Sequence, residues 1–412
     1  AWLDLAAMAL APEDVPPGFF DDYSEWLVSP AAFSELVLGG EPVPADLDQV
    51  YQSFYFNDVE QVAIHTYLFT FTTPEAAASG IGIVDATVLR PPLPEGTVVG
   101  PTTEPGPALG DESSTTTRVT YDTQAEGGPL VEIVAVTFRR DRLIAGVAIE
   151  RYTDPAADGT PQAVAADATQ LDADLATRLA STLDDRVTTV MRGGIPVGVD
   201  PVRSAMVLPL DQLAPSDTPV IGGYKSGIDL LRCGICGEEN SLLPFADAAL
   251  GGFSRTVFVG PLNDGEPTPP FISVAVTAFT SPAVALEVLE AIRQAPNDRP
   301  TPGPVPRGER TLVADPVIPG AAATLGFEAV LDAEDPDASA DSAGVTLVMD
   351  AWLVSIDVQG GLSGEAALAV AVDLATQQVD CLTAGDVCEN LTVPDELLIG
   401  ADATPAAATP AA

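Results

Sequence analysis

Four cysteines, one histidine and one dense run of carboxylates are the residues of this chain whose types could do chemistry. All four cysteines lie in the second half, as Cys233-Gly-Ile-Cys236 and the separate Cys381 and Cys388. Two chemistries fit them. An even cysteine count suits disulfides in an oxidising compartment, and two local bridges, Cys233–Cys236 and Cys381–Cys388, are the expected pairing of three alternatives. A zinc site using Cys233, Cys236, Cys381 and Cys388 is the other reading, because Cys-Gly-Ile-Cys-Gly has the form of a metal knuckle. Its second pair is separated by six residues rather than the usual two. A thioredoxin-like role is disfavoured, since no clear strand precedes Cys233 and no long helix follows it.

The run Asp332, Glu334, Asp335, Asp337 and Asp341 gathers hard oxygen ligands that could take Ca²⁺. It lacks the EF-hand glycine and distal glutamate, so a solvated acidic hairpin loop is the expectation. His65 is the only histidine. It sits in an alternating strand on one face with Tyr67, Phe69 and Phe71, where a structural role is expected. Metal catalysis through several histidines is excluded by count. No Gly-x-Ser-x-Gly elbow, Asp-Thr-Gly or Asp-Ser-Gly is present. Gly222-Gly223-Tyr224-Lys225-Ser226-Gly227 lacks the Gly-Lys-Ser order of a phosphate loop. No catalytic residue and no cofactor are assigned on these grounds. A carboxylate-dependent hydrolase stays open as the weakest class, because a glycosidase pair needs no fixed spacing.

Charge narrows the partners. Sixty acidic residues against 17 basic ones leave a formal charge of −43. Such a surface repels nucleic-acid phosphates and anionic lipid, so neither is an expected partner, and a protein partner should present basic surface. No apolar run reaches the length of a transmembrane segment. The start Ala1-Trp2-Leu3-Asp4 reads as the mature end left by signal-peptide removal, which places the protein outside the cell or at its surface. The Ala-, Thr- and Pro-rich residues 399–412 read as a flexible tail. Asn390-Leu391-Thr392 matches a glycosylation sequon, a motif too short to decide anything.

Positioning elements repeat. Phe71-Thr-Thr-Pro-Glu-Ala-Ala77 and Phe279-Thr-Ser-Pro-Ala-Val-Ala285 each end a strand and open a proline-started helix capped by Thr or Ser. Leu143–Ile149 matches Trp352–Val358, and each is followed by an Ala-rich helix holding Asp-Leu-Ala-Thr, at 174–177 and 373–376. Met8-Ala9-Leu10 aligns more loosely with Met206-Val207-Leu208. Constant order and spacing predict tandem copies of one α+β domain, residues 1–193 and 194–398. Each copy is expected to be an antiparallel sheet with helices packed on one face. In the first, strands are predicted at about 60–72, 115–122, 130–140 and 142–152, with helices at about 74–86 and 163–184. The short turn Arg139–Arg142 predicts a hairpin. Proline- and glycine-rich residues 91–110 and 296–308 are expected to be surface loops.

These blocks, with the late hairpin and Ala-rich helix, resemble secreted lipoprotein-type domains of high-GC bacteria. They are also similar to the extracellular sensor domain of mycobacterial serine/threonine kinases. The resemblance implies extracellular ligand sensing or binding, and transfers no site residue. The expected function is therefore a non-catalytic binding or sensing protein for a protein, glycan or small molecule. A structural or assembly component of the cell envelope is the alternative.

Overall fold

The computed structural model describes residues 4–21, 26–30, 33, 43–44, 46–88, 97–121, 130–153, 166–197, 202–213, 220–225, 231, 241–259, 271–296, 308–331, 341–360, 362, 364–385, 388, 390–394 and 397. Two compact units emerge: Ala1–Ser204 with Ser216–Asp229, and Ala205–Pro215 with Leu230–Ala412.

The first unit contains α1 (Leu5–Met8), β1 (Phe20–Asp21), β2 (Trp26–Val28), β3 (Leu47–Asn57), β4 (Val62–Phe71), α2 (Pro74–Val88) and β5 (Thr97–Pro105). Then come β6 (Glu112–Tyr121), β7 (Leu130–Arg140), β8 (Leu143–Thr153), α3 (Ala166–Met191), β9 (Val220–Ile221) and β10 (Tyr224–Lys225). Its sheet runs β9-β2-β3-β4-β8-β7-β6-β5, with β1 also beside β3, and these pairings are antiparallel. Tyr224 and Lys225 of β10 are both buried.

Local chemistry explains the boundaries. Thr73 caps α2 by accepting from the Ala76 amide at 3.1 Å, and Pro74 fills the first helical position, where no amide partner is needed. Asp141 takes a left-handed φ of 55° and closes the two-residue turn between β7 and β8. Residues 97–105 form a strand where a loop was expected from the prolines. The reason is position: among the described strands β5 is the sheet edge, bonded only to β6, and its register breaks between Val99 and Thr102, around Pro101. Strand β3 had no counterpart among the predicted strands.

Both faces of this sheet are covered, so the helices do not share one face as the element pattern had suggested. One apolar cluster joins α1 and α3, through Met8, Leu179 and Leu183, to Ile64, Val136, Val147 and Ile149. The opposite cluster joins α2, through Ala77 and Val84, to Tyr67, Phe69, Phe71, Ile133 and Ile144. Strand alternation makes the split: a strand apolar on both parities needs a layer on each side. Arginines tie α3 to the sheet. Arg151 forks onto Asp172 at 2.8 and 2.7 Å, and Arg140 onto Asp184 at 2.8 Å twice. Arg186 meets Asp14 and the Ala7 carbonyl, both at 3.1 Å.

The second unit contains β11 (Ala249–Phe258), β12 (Phe271–Phe279), α4 (Pro282–Gln294), β13 (Gly308–Val313), β14 (Ala323–Leu331), β15 (Asp341–Met349), β16 (Trp352–Gln359) and α5 (Gly364–Ala384). Its antiparallel order is β11-β12-β16-β15-β14-β13. That is the order of β3-β4-β8-β7-β6-β5, with a helix after the second and sixth strands in both. Registers agree as well. Val147 stands opposite Thr66 and Ile356 opposite Val274, each partner five places before Phe71 or Phe279. Bulges fall at Asp48 and Leu250. The amides of Phe71 and Phe279 donate to Arg142 and Ala351 at 2.9 and 2.8 Å. Opening segments are held alike: Tyr55 donates to the Leu10 carbonyl at 3.0 Å, and Arg255 to the Leu208 carbonyl at 2.8 Å. Gln378 of α5 adds bonds to the Met206 carbonyl and the Leu208 amide.

Candidate functional site

In each unit the helix after the second strand packs on the part of the sheet face that carries the terminal phenylalanine of that strand. In the first, α2 packs on Phe71, Phe69 and Ile144. Beyond it the same face continues along alternate residues of three strands: Phe54 and Phe56 of β3, His65 and Tyr67 of β4, and Glu150 and Tyr152 of β8. Phe54 pairs with His65, His65 with Ala148, and Ala63 with Glu150, so His65 and Glu150 are diagonal neighbours.

Aromatic edges line this stretch. His65 lies between Phe54 and Tyr67 with ring centroids 6.1 and 5.9 Å away, and Tyr67 meets Phe69 at 6.2 Å. Tyr152 lies 6.3 Å from Phe56. Tyr67 stays flat over the sheet because Gly146 lies beneath it: a Cβ there would fall 2.4 Å from the phenol. The phenol reaches Thr137 Oγ1 at 2.7 Å. His65, Glu150 and Tyr152 are half-buried, which leaves them reachable.

Burial sets the charge states here. It lowers the His65 imidazole to a pKa of about 4, so the ring is neutral at pH 7. Burial also pushes the Glu150 carboxyl above its ordinary range, opposed by the hydrogen bond that Tyr152 donates to Oε2 at 2.9 Å. The Tyr152 phenol is raised by burial first and by the adjacent Glu150 second. The face thus carries a neutral imidazole, a carboxyl reluctant to ionise and a phenol, framed by rings. It can stack and hydrogen-bond a ligand. On the opposite face Glu132 stands across from Arg151, is itself buried, and has its Oε1 without a hydrogen-bond partner.

In the second unit α4 packs on Phe279, Val348, Leu353 and Leu325. Beyond it the face changes chemistry. The β4 position of His65 is Ser273, and the β8 positions of Ala148 and Glu150 are Asp357 and Gln359 in β16. Ser273, Asp357 and Gln359 are all buried, and Ser273 bonds Thr256 at 2.7 Å.

The other sequence candidates fall elsewhere. Cys381, in the last turns of α5, and Cys388 form a disulfide with Cα atoms 5.1 Å apart. Two joined sulfurs offer no thiolate, so this arrangement does not make the four-cysteine zinc site. Cys233 and Cys236 lie outside the described residues, as do Asp332, Glu334, Asp335 and Asp337; Asp341 begins β15. Among the described residues no group of three or more His, Cys, Asp or Glu is placed to hold a metal. Of the glycine-rich segment, Tyr224 and Lys225 form β10. Asn390 is exposed, beside Leu391 and Thr392, whose amides donate to Gln212 and Gln377. No described helix is long and apolar enough to cross a membrane.

No protein-family model matches the chain, and no curated protein does. Solved structures do. The extracellular domain of PknH from Mycobacterium tuberculosis is 11% identical, with a TM-score of 0.28, over 44% of this chain and 94% of that one. The di-domain ARO/CYC protein StfQ from the steffimycin biosynthetic pathway is 9% identical, with a TM-score of 0.16, over 89% of this chain and 92% of that one. Neither likeness assigns a ligand to this chain.

In the sequence His65 reads as structural, and neither Glu150 nor Tyr152 stands out. Carboxylates are too numerous here for composition to pick one. A signal did exist: Glu150 continues the apolar phase Ile144, Gly146, Ala148 of its strand, a parity on which a solvated carboxylate does not belong.

Proposed function

We propose that this is an exported, non-catalytic binding or sensing protein built from two tandem copies of one α+β domain, which takes its ligand on the sheet face beyond α2. The shared strand order, registers and bulges support the duplication. One observation carries the binding reading: on a face otherwise made of rings, His65, Glu150 and Tyr152 are half-buried polar groups within one small patch, the imidazole neutral and the carboxyl raised by burial. Such a mixed aromatic and hydrogen-bonding surface suits recognition of a small molecule, a glycan or a protein side chain. The −43 charge directs any protein partner toward basic surface. Secretion accords with the disulfide, which persists in an oxidising compartment.

A carboxylate-dependent hydrolase needs two cooperating carboxyl groups. On the described part of this face Glu150 stands without a second one, which favours binding over turnover. The test is a thermal-shift screen of aromatic and hydroxylated small molecules against the whole chain, repeated with Glu150→Leu and Tyr152→Phe. Stabilisation of the parent that both variants lose supports the reading. Turnover of any compound, abolished by one carboxylate substitution, would overturn it.

A further inference from the structure

The polar groups on the face beyond α2 are short of partners in one particular way. His65 meets Phe54 and Tyr67 ring to ring, and neither of its nitrogens bonds a described residue. Glu150 receives one hydrogen bond, from Tyr152 to Oε2 at 2.9 Å, and its Oε1 receives none from the described residues. No described arginine or lysine pairs with it: Arg151, the next residue, belongs to the opposite face and forks onto Asp172. His65, Glu150, Tyr152, Phe54 and Phe56 all keep part of their surface in solvent. The patch is therefore reachable as it stands.

A count of donors and acceptors decides what fits it. The Tyr152 hydrogen is used on Glu150, so the phenol offers a ligand only an oxygen lone pair. Glu150 offers Oε1, and the neutral imidazole offers one bare nitrogen and one N–H. The Tyr67 hydroxyl is engaged with Thr137. Gln52, opposite Tyr67 on the same face, adds one acceptor and one amide. Acceptors prevail next to Glu150, and the faces of Phe54 and Phe56 add the negative potential of aromatic rings. Burial raises the Glu150 carboxyl, and a cation beside Oε1 offsets that desolvation.

We infer that this patch binds a small organic cation, a primary ammonium group carried on an apolar or aromatic body. Its three N–H groups donate to Glu150 Oε1, the Tyr152 oxygen and the bare imidazole nitrogen. One nitrogen can serve all three, because His65 and Glu150 are diagonal neighbours, roughly 7–8 Å apart along the backbone, and Tyr152 is bonded to Glu150. The body lies against Phe54 and Phe56. An anion meets repulsion from Glu150 and finds few donors, and a neutral hydroxyl compound brings no counter-charge. The overall charge of −43 draws cations from a distance. In the second unit the positions of His65 and Glu150 hold Ser273 and Gln359, which carry neither the imidazole nor the carboxylate.

This inference rests on the reading that the face beyond α2 takes a ligand, and a neutral isostere separates the two claims. His65 is the only histidine, so its imidazole NMR signals report on the patch without assignment. The full chain is titrated near pH 7.5 with 2-phenylethylammonium and with 2-phenylethanol, which share a body and differ in charge. The ammonium should shift the His65 signals saturably, and the alcohol should bind about 10-fold more weakly, the cost of one charge-assisted hydrogen bond. Glu150→Gln keeps the shape and should weaken the ammonium about 10-fold. Glu13→Gln removes an exposed carboxylate from the segment that packs on the opposite face, and should leave binding unchanged. That control sets general attraction to the acidic surface apart. Equal binding of the alcohol overturns the cation and leaves the face a site for neutral ligands. Ammonium binding untouched by Glu150→Gln overturns the site. If neither compound moves the His65 signals at millimolar concentration, the inference fails and the binding reading of this face loses its support with it.

Discussion

Glu150 and Gln359 occupy the same register position in the two units: each faces the residue eight places before the terminal phenylalanine of the neighbouring strand. The two side chains have one shape and differ by a charge. Glu150 has its carboxyl raised by burial, so its protonated form fits the fold better. Stability from such a group is fully present below the unfolded carboxyl value and is lost as pH rises through the folded one. Glu150→Gln should therefore be more stable than the parent at pH 7.5. Urea unfolding at pH 7.5 and pH 4 should show that advantage shrinking with acidification.

His65 runs the other way. Its folded value of about 4 lies below the ordinary 6.5, so the unfolded chain binds the proton first. Stability is intact above pH 6.5 and falls as pH drops toward 4. The imidazole resonance belongs to the only histidine and needs no assignment. It should titrate near pH 4 in the folded protein, and His65→Phe should flatten the acid limb by about 2 kcal/mol. A midpoint near 6.5 would show that the ring is solvated.

Arg151 and Asp172 should matter more than the average ion pair. The Asp172 side chain is only 4% exposed, and both of its oxygens are engaged. Asp172→Ala leaves a guanidinium partly buried beside Glu132 and should cost about 3 kcal/mol in denaturant unfolding. An effect under about 0.5 kcal/mol would place the pair among ordinary surface bridges.

Gly146 is fixed by its neighbour. An added methyl group meets the Tyr67 ring, so Gly146→Ala should cost about 2 kcal/mol through overpacking and loss of the Thr137 contact. Tyr67→Leu in the same chain should recover part of that loss. Simple additivity of the two changes would mean that the residues do not touch.

The Cys381–Cys388 bridge should appear in an unreduced digest as one peptide pair lighter by two hydrogens. Opening it should cost about 2 kcal/mol, given the short loop it closes. A loss of four hydrogens from the whole chain would add Cys233–Cys236.

The block from Phe71 was legible because proline, a hydroxyl cap and strand alternation each leave a one-dimensional mark. The hairpin at Arg139–Arg142 was legible for the same reason. Which face a helix takes leaves no such mark: α2 and α3 both read as Ala-rich with an apolar stripe, and only chain crossing puts them on opposite sides. Strand β5 was hidden because Pro101 and Pro105 look like loop, and a proline is harmless only once the strand is known to be an edge. The candidate site was half legible. His65 drew notice by rarity, whereas Glu150 is one of sixty acidic residues and is distinguished by parity alone.

The burial of Lys225 has a practical consequence. It is the only lysine in the sequence, so the native fold hides the chain's whole complement of side-chain amines. An acylating dye in excess should then modify that side chain only when its surroundings open. The labelling rate becomes a clock for local unfolding at a single position, read without any engineered probe. A ligand that rigidifies the fold there would slow that clock.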